Sequence, residues 1–174
     1  MSDAETLRAA IRDVADYPKS GIVFKDITPL LADPLLLRTS IDLLAATARG
    51  HKIDKVVGID ARGFIFAAAV AARIDAGFVP VRKKGKLPWK TRQTAYSLEY
   101  GEAVVEIHED AVKPGESVLL VDDLLATGGT SAAAAQLLAE LGANLVGMSF
   151  LIELGFLNGR EKLHPHHIDS IVLF

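Results

Sequence analysis

The stretch from Val118 to Thr130, V-L-L-V-D-D-L-L-A-T-G-G-T, constrains the fold of this chain more than any other. Val118 to Val121 are four consecutive apolar residues, the pattern of a short strand buried on both faces in a parallel sheet. Asp122 and Asp123 follow at its C-terminal end, and Leu124 to Thr130 then turns through Gly128 and Gly129 into a helix. Such a turn aims backbone N–H groups and the positive end of a helix dipole at one point, which suits a phosphate. Thr127, Thr130 and Ser131 add hydroxyl donors. The two carboxylates would repel the same phosphate and therefore need a neutral or cationic partner. Vicinal sugar hydroxyls meet that need, because hydrogen bonds to an ionised acceptor contribute about 1.5–3 kcal/mol each. Together these features describe a ribose 5-phosphate.

The string as a whole resembles the phosphoribosyl-diphosphate signature of the type I phosphoribosyltransferases. The rest of the chain is consistent with one domain built around it. At 174 residues it is long enough to bury a core without staples, and its mean hydropathy of +0.28 argues against disorder. A net charge of −3 disfavours a general nucleic-acid or membrane-surface binder. The absence of Cys excludes disulfides and thiolate metal sites and fits a reducing compartment. The N-terminus carries no basic segment followed by an apolar core, and the longest apolar run, Phe64 to Ala72, is too short to span a membrane. A cytoplasmic protein is the expectation.

Taken in order, Ser2 and Glu5 have capping-box spacing, and Leu7, Ile11 and Val14 predict a first helix to about Tyr17. Pro18 to Gly21 breaks it, and Ile22 to Lys25 is extended. Asp33-Pro34 opens a helix that ends at Gly50. Val56 to Asp60 is a buried strand, followed by an alanine-rich helix through Arg73. Phe78 to Arg82 is the next strand. Tyr96 to Tyr100 and Ala103 to Glu109 flank Gly101 as a hairpin. After a turn at Lys113-Pro114-Gly115 come the opening strand and a helix ending near Gly142. Leu145 to Ile152 and Ile168 to Phe174 supply the last strands. The alternation predicts an α/β fold, a central, mostly parallel sheet flanked by helices, with ligands outside the carboxyl ends of its strands. Residues 1 to about 30 and 84 to 110 are not needed for that core and are candidate covers over the site.

Three further groups could carry chemistry. Arg82 to Arg92, R-K-K-G-K-L-P-W-K-T-R, holds six basic residues and no acid in eleven positions. It reads either as a solvated loop or as a polyphosphate clamp hinged at Gly85 and stopped at Pro88. Asp60-Ala61-Arg62-Gly63 repeats the strand, carboxylate and helix-start arrangement. It is either a structural turn or a second phosphate contact through Arg62. Glu99 lies between Tyr96 and Tyr100, as an exposed hairpin residue or as a carboxyl whose proton affinity rises in a closing apolar cover. His164, His166 and His167 form H-P-H-H, which reads as a polar turn more readily than as a metal site. Ala132 to Ala135 is ordinary close helix packing, and Trp89 reads as a lid or packing aromatic more readily than as a base-stacking platform.

The segments G-I-V-F-K-D-I-T-P-L-L, D-A-R-G-F, R-K-K-G-K-L-P, Y-S-L-E-Y-G, V-D-D-L-L-A-T-G-G-T and L-N-G-R-E-K-L occur in the order found in the adenine phosphoribosyltransferase family. The resemblance runs from about Tyr17 to Leu163. It implies a Rossmann-like type I fold, one domain over 1–174, with a small hood (about 1–30) and a flexible hairpin lid (about 84–110). It implies transfer of a phosphoribosyl group to adenine with magnesium, Mg2+, held mainly by the substrate, and a homodimer. By position, Ala126, Thr127, Gly128, Gly129 and Thr130 would hold the 5-phosphate, and Asp122 and Asp123 the ribose hydroxyls. Ala61, Arg62, Arg82, Lys83 and Lys86 would face the diphosphate. Val23 and Lys25 would read the adenine edge through their backbone, with Phe24 and Leu125 against its faces. Glu99 would handle the proton, Arg62 would join it in catalysis, and a non-proline cis peptide would stand at Asp60-Ala61. Trp89-Lys90 departs from the small or proline residues expected after Lys86-Leu87-Pro88.

Other readings are a regulator that keeps the site as a sensor, or an enzyme acting on hypoxanthine or xanthine. The first usually needs a basic DNA-binding segment, which the N-terminal helix lacks. Dinucleotide and P-loop binders are disfavoured because neither G-x-G-x-x-G nor G-x-x-x-x-G-K-[ST] occurs.

Overall fold

The computed structural model describes residues 2–98 and 101–174. The chain begins with α1 (Asp3–Ala10), β1 (Arg12–Ala15), β2 (Val23–Asp26), α2 (Thr28–Ala32) and α3 (Pro34–Ala46). It continues through β3 (Lys55–Ile59), α4 (Gly63–Arg73), β4 (Gly77–Lys83), β5 (Thr91–Ser97) and β6 (Glu102–His108). It ends with β7 (Ser117–Leu125), α5 (Gly129–Glu140), β8 (Asn144–Glu153), α6 (Gly159–Leu163) and β9 (Ile168–Leu173).

The main sheet has seven strands in the order β5-β6-β4-β3-β7-β8-β9. Pairing is parallel from β4 to β9 and antiparallel between β4, β6 and β5. Adjacent residues of the central strands serve opposite faces, as the period of two requires. Val57, Val118 and Leu120 pack towards α5, with Ala134, Leu137 and Leu138. Val56, Leu119 and Val121 pack towards α3 and α4, with Leu44, Phe66 and Val70. This two-sided burial explains why β3 and β7 read as continuous apolar runs. The hairpin β5–β6 is continuous with the sheet: Arg82 and Lys83 of β4 pair with Glu106 and Val105 of β6, and Val105 and Ile107 enter the core. This half of the 84–110 segment therefore serves the core as well as any cover.

Two expectations are corrected. The first helix stops at Ala10 instead of near Tyr17: Ile11 is extended, and Arg12–Ala15 pairs antiparallel with Val23–Asp26. Two cross-strand ion pairs compete there with the helix, Arg12 with Asp26 at 2.7 Å and Lys25 with Asp13 at 2.6 Å. The capping box between Ser2 and Glu5 is present. The second correction concerns β7, which runs past the carboxylates to Leu125, because Leu124 and Leu125 still pair with Ile152 and Glu153 of β8. Asp33 caps α3 as expected, accepting from the N–H groups of Leu35 and Leu36.

Candidate active site

One cavity of about 350 Å3 lies at the carboxyl ends of β3 and β7, where β7 leads into α5. It is lined by Asp60, Ala61 and Arg62 on one side and by Asp122 through Ser131 on the other. The two strand-to-helix turns singled out in the sequence thus form one site, as expected of neighbouring parallel strands.

The α5 side is a nest of amides. Gly128 has φ +80, a conformation that costs a side-chain-bearing residue. A Cβ there would also meet the carbonyl oxygen of Gly159 at 2.5 Å. The first helical bond of α5 runs from the Ala132 N–H to the Gly128 oxygen, and no side chain caps the helix. Its leading N–H groups, Gly129 to Ser131, therefore retain their donor capacity towards an anion. The helix end of α4 beside Arg62 likewise has no side-chain cap.

The carboxylates are unequal. Asp122 is buried and accepts a hydrogen bond from the Asp123 N–H at 2.9 Å, and no ion pair reaches it among the described residues. Its Oδ1 lies where a Cβ on Gly63 would sit, which explains the glycine at the start of α4. Burial, and then the neighbouring charge of Asp123, push the Asp122 carboxyl well above the usual carboxylate range. Burial also raises Asp123, but Arg62, with Nε 2.9 Å from Asp123 Oδ2, works against that rise. The Arg62 guanidinium lies 5.2 Å from the centre of the Phe24 ring, which brings the β1–β2 segment to the edge of the site. The Asp60-Ala61 peptide is cis.

Comparison with known proteins places this geometry. Residues 27–173 match the model of the phosphoribosyl transferase domain. The chain is 55% identical over 174 residues to adenine phosphoribosyltransferase of Anaeromyxobacter dehalogenans, covering 100% of both chains. The chain belongs to the adenine phosphoribosyltransferase family. Among solved members of the family, that of Thermoanaerobacter pseudethanolicus superposes with a TM-score of 0.96 at 49% identity, covering 98% of this chain and 99% of its own. The Saccharomyces cerevisiae adenine phosphoribosyltransferase, complexed with an imino-altritol bisphosphate and adenine, gives a TM-score of 0.92 at 39% identity, covering 97% of this chain and 98% of its own.

Several family positions converge on the cavity. Ala61, Arg62, Asp122, Asp123, Leu125, Ala126, Thr127, Gly128, Gly129 and Thr130 all line it. Arg82 reaches it indirectly, donating from Nε to Asp60 Oδ2 at 3.0 Å. Lys83 and Lys86 are exposed and do not line the cavity. Phe24 stands against Arg62, and the Lys25 ammonium is committed to Asp13, away from the cavity wall. Val23 is half exposed on β2, whose only strand partner among the described residues is β1. Its other edge leaves backbone donors and acceptors unpaired by any strand. Glu99 lies outside the described residues.

The H-P-H-H segment does not gather its rings: His167 pairs with Asp169 at 3.0 Å in the approach to β9, and the His166 N–H donates to the Leu163 oxygen. Among the described residues, no three His, Asp or Glu side chains converge as a metal cage, and no helix is long and apolar enough to cross a membrane.

Sequence reasoning missed two acids near the site. Glu153, at the end of β8, accepts both arms of Arg160 at 2.7 Å and the Ser170 hydroxyl at 2.5 Å. This network holds the start of α6, whose Gly159 packs on Ala126 and Gly128. The L-N-G-R-E-K-L string was the available signal. The second acid is Glu106 on β6, which is buried.

Proposed function

We propose that this chain transfers the 5-phosphoribosyl group of phosphoribosyl diphosphate to adenine, giving AMP and diphosphate. One observation carries the reading: an uncapped helix start, paired carboxylates and a guanidinium line the same small cavity. In this reading the N–H groups of Ala126 to Thr130, with the Thr127 and Thr130 hydroxyls, bind the 5-phosphate. Asp122 and Asp123 accept from the ribose hydroxyls. Ala61, through its N–H, and Arg62, Arg82, Lys83 and Lys86 face the diphosphate. The free edge of β2 at Val23 and Lys25 reads the adenine edge, with Phe24 and Leu125 against its faces.

The bond between the sugar C1′ and the diphosphate oxygen breaks, and its electron pair leaves with the diphosphate. Adenine N9 bonds to the same carbon and gives up its proton. Cations and backbone dipoles aimed at the leaving group act mainly in the transition state, where its charge develops. Glu99 is assigned the proton by the family motif Y-S-L-E-Y-G, in a hairpin that covers the site as a lid, below a hood formed by residues 1 to about 30.

Magnesium belongs to the proposal as a partner of the substrate. Such ions are commonly held by one or two carboxylates together with substrate phosphates. Asp122 and Asp123 are the carboxylates beside the sugar position and would supply what protein contact the ion has, the substrate holding it in the main. When bound, the ion neutralises charge on the departing diphosphate. A cytoplasmic homodimer completes the reading. The apolar groove between α3 and α4, with Leu37, Ile41, Ala69 and Ala72, offers a surface for a second copy, and sedimentation velocity tests it.

The deciding experiment measures diphosphate release with adenine, hypoxanthine or xanthine supplied separately. Release with adenine alone is expected; none with adenine overturns the proposal.

A further inference from the structure

Glu106 is 2% exposed, yet among the described residues it makes no ion pair, although it sits beneath the most basic stretch of the chain. Its Oε1 accepts from the backbone N–H groups of Lys86 at 2.9 Å and Leu87 at 2.8 Å. Its Oε2 accepts from the Gln93 side-chain amide at 3.1 Å. Burial alone would push this carboxyl up. The N–H groups of Leu87, Gly85 and Lys86, with Gln93, outweigh it and hold the group below its ordinary value. The acid is therefore kept ionised, and its charge is spent on neutral amides.

Two consequences follow for the loop above it. The backbone of Lys86 is held at both ends, its N–H donating to Glu106 and its carbonyl accepting from Arg82 Nη1 at 3.3 Å. Arg82 in turn holds Asp60 at the cavity wall. The loop is thus joined to the site through a continuous chain, Glu106 to Lys86 to Arg82 to Asp60. Meanwhile Lys83, Lys84 and Lys86 make no ion pair among the described residues, so their ammonium groups are not neutralised by the acid beneath them.

We propose that Glu106 is a positioning residue for diphosphate: it fixes the backbone of Gly85 to Leu87 so that the basic loop presents its cations in a set arrangement without discharging them. The proposal rests on the reading that Arg82, Lys83 and Lys86 face the diphosphate. Preorganised cations cost less to order around a polyanion than a loop that must be arranged at each binding event.

The test compares Glu106→Gln, Glu106→Ala and Lys86→Ala with the unaltered chain, each checked by thermal melting. The readouts are the KM for phosphoribosyl diphosphate, the Kd for diphosphate and the Kd for AMP. AMP fills the 5-phosphate, sugar and base positions but not the loop. Loss of a charge-assisted acceptor should weaken diphosphate and raise the phosphoribosyl diphosphate KM about tenfold in Glu106→Gln, with a larger effect in Glu106→Ala. AMP affinity should hold within about twofold in both, since in this reading AMP makes no contact with the loop's cations. Equal losses for diphosphate and AMP would mark a general structural role and overturn the proposal. Normal diphosphate affinity in both Glu106 variants, with weakened binding in Lys86→Ala, would overturn the positioning role alone. Normal affinity in Lys86→Ala as well would remove the clamp, and the proposal with it.

Discussion

Arg62 Nε lies 2.9 Å from Asp123 Oδ2, and the same guanidinium stands 5.2 Å from the Phe24 ring. One cation therefore links the carboxylate pair of β7 to strand β2. In the proposed reaction it also faces the diphosphate, so substrate binding exchanges partners: sugar hydroxyls replace Arg62 on Asp123, and Arg62 turns to the leaving group. Arg62→Lys keeps a charge but loses the planar fork that serves two anions at once. We expect kcat/KM for phosphoribosyl diphosphate to fall about 100-fold or more in steady-state assays. A change within about twofold would show that the guanidinium is not part of the machinery.

Asp122 presents a different balance: it is buried with no ion pair of its own among the described residues, and the attraction of Arg62 is outweighed by burial and by the charge of Asp123. Its carboxyl titrates above the ordinary value in the fold. Its favourable contribution to stability is therefore complete at low pH and is lost as pH rises from the unfolded carboxyl range through the raised value. Asp122→Asn removes the ionisation. The ligand-free variant should melt higher than the unaltered chain at about pH 8, with the gap closing towards about pH 4. It should also bind phosphoribosyl diphosphate more weakly, because an amide is a poorer acceptor for the ribose hydroxyls. A gap in melting temperature that stays constant with pH would assign the burial cost to something other than this charge.

Legibility in the sequence followed how local each cause is. The strands β3, β7 and β8 were visible because burial on both faces leaves long apolar runs, and Asp33-Pro34 was visible because a cap acts within three residues. The β1–β2 ribbon was not: Leu7, Ile11 and Val14 keep helical spacing, while the ion pairs that extend Arg12–Ala15 come from Lys25 and Asp26. In the site, Asp122 to Thr130 could be read as a unit because one strand and one turn carry it. Glu106 could not, since V-V-E-I-H reads as an ordinary strand and the amides that it accepts lie about twenty residues earlier. The inequality of Asp122 and Asp123 was equally hidden, because it depends on Arg62 from another strand end.

Glu99 carries the proton in the proposed mechanism through the motif Y-S-L-E-Y-G alone. Glu99→Gln should lower kcat by about 100-fold or more while the Kd for phosphoribosyl diphosphate stays near that of the unaltered chain. Pre-steady-state measurement of AMP formation checks it, since a step limited by product release would mask the loss. Unchanged formation within a single turnover would send the search to another proton carrier.

The nest of amides at the start of α5 depends on a contact that no side chain can share. At Gly128 a methyl group meets both an unfavourable φ of +80 and the Gly159 carbonyl at 2.5 Å. Gly159 cannot retreat freely, because Arg160 next to it is tied to Glu153 by two bonds of 2.7 Å. The strain of Gly128→Ala must therefore be taken up by the turn itself, moving the amides of Gly129 to Ser131. We expect AMP and ribose 5-phosphate affinity to fall about 100-fold by isothermal titration, with a stability loss of about 2–4 kcal/mol by urea denaturation. If Arg160 is the brace, Arg160→Leu in the Gly128→Ala background should recover part of the lost stability by freeing Gly159, though Glu153 then loses its partner. A double variant no more stable than the sum of the single losses predicts would show that the two contacts act independently.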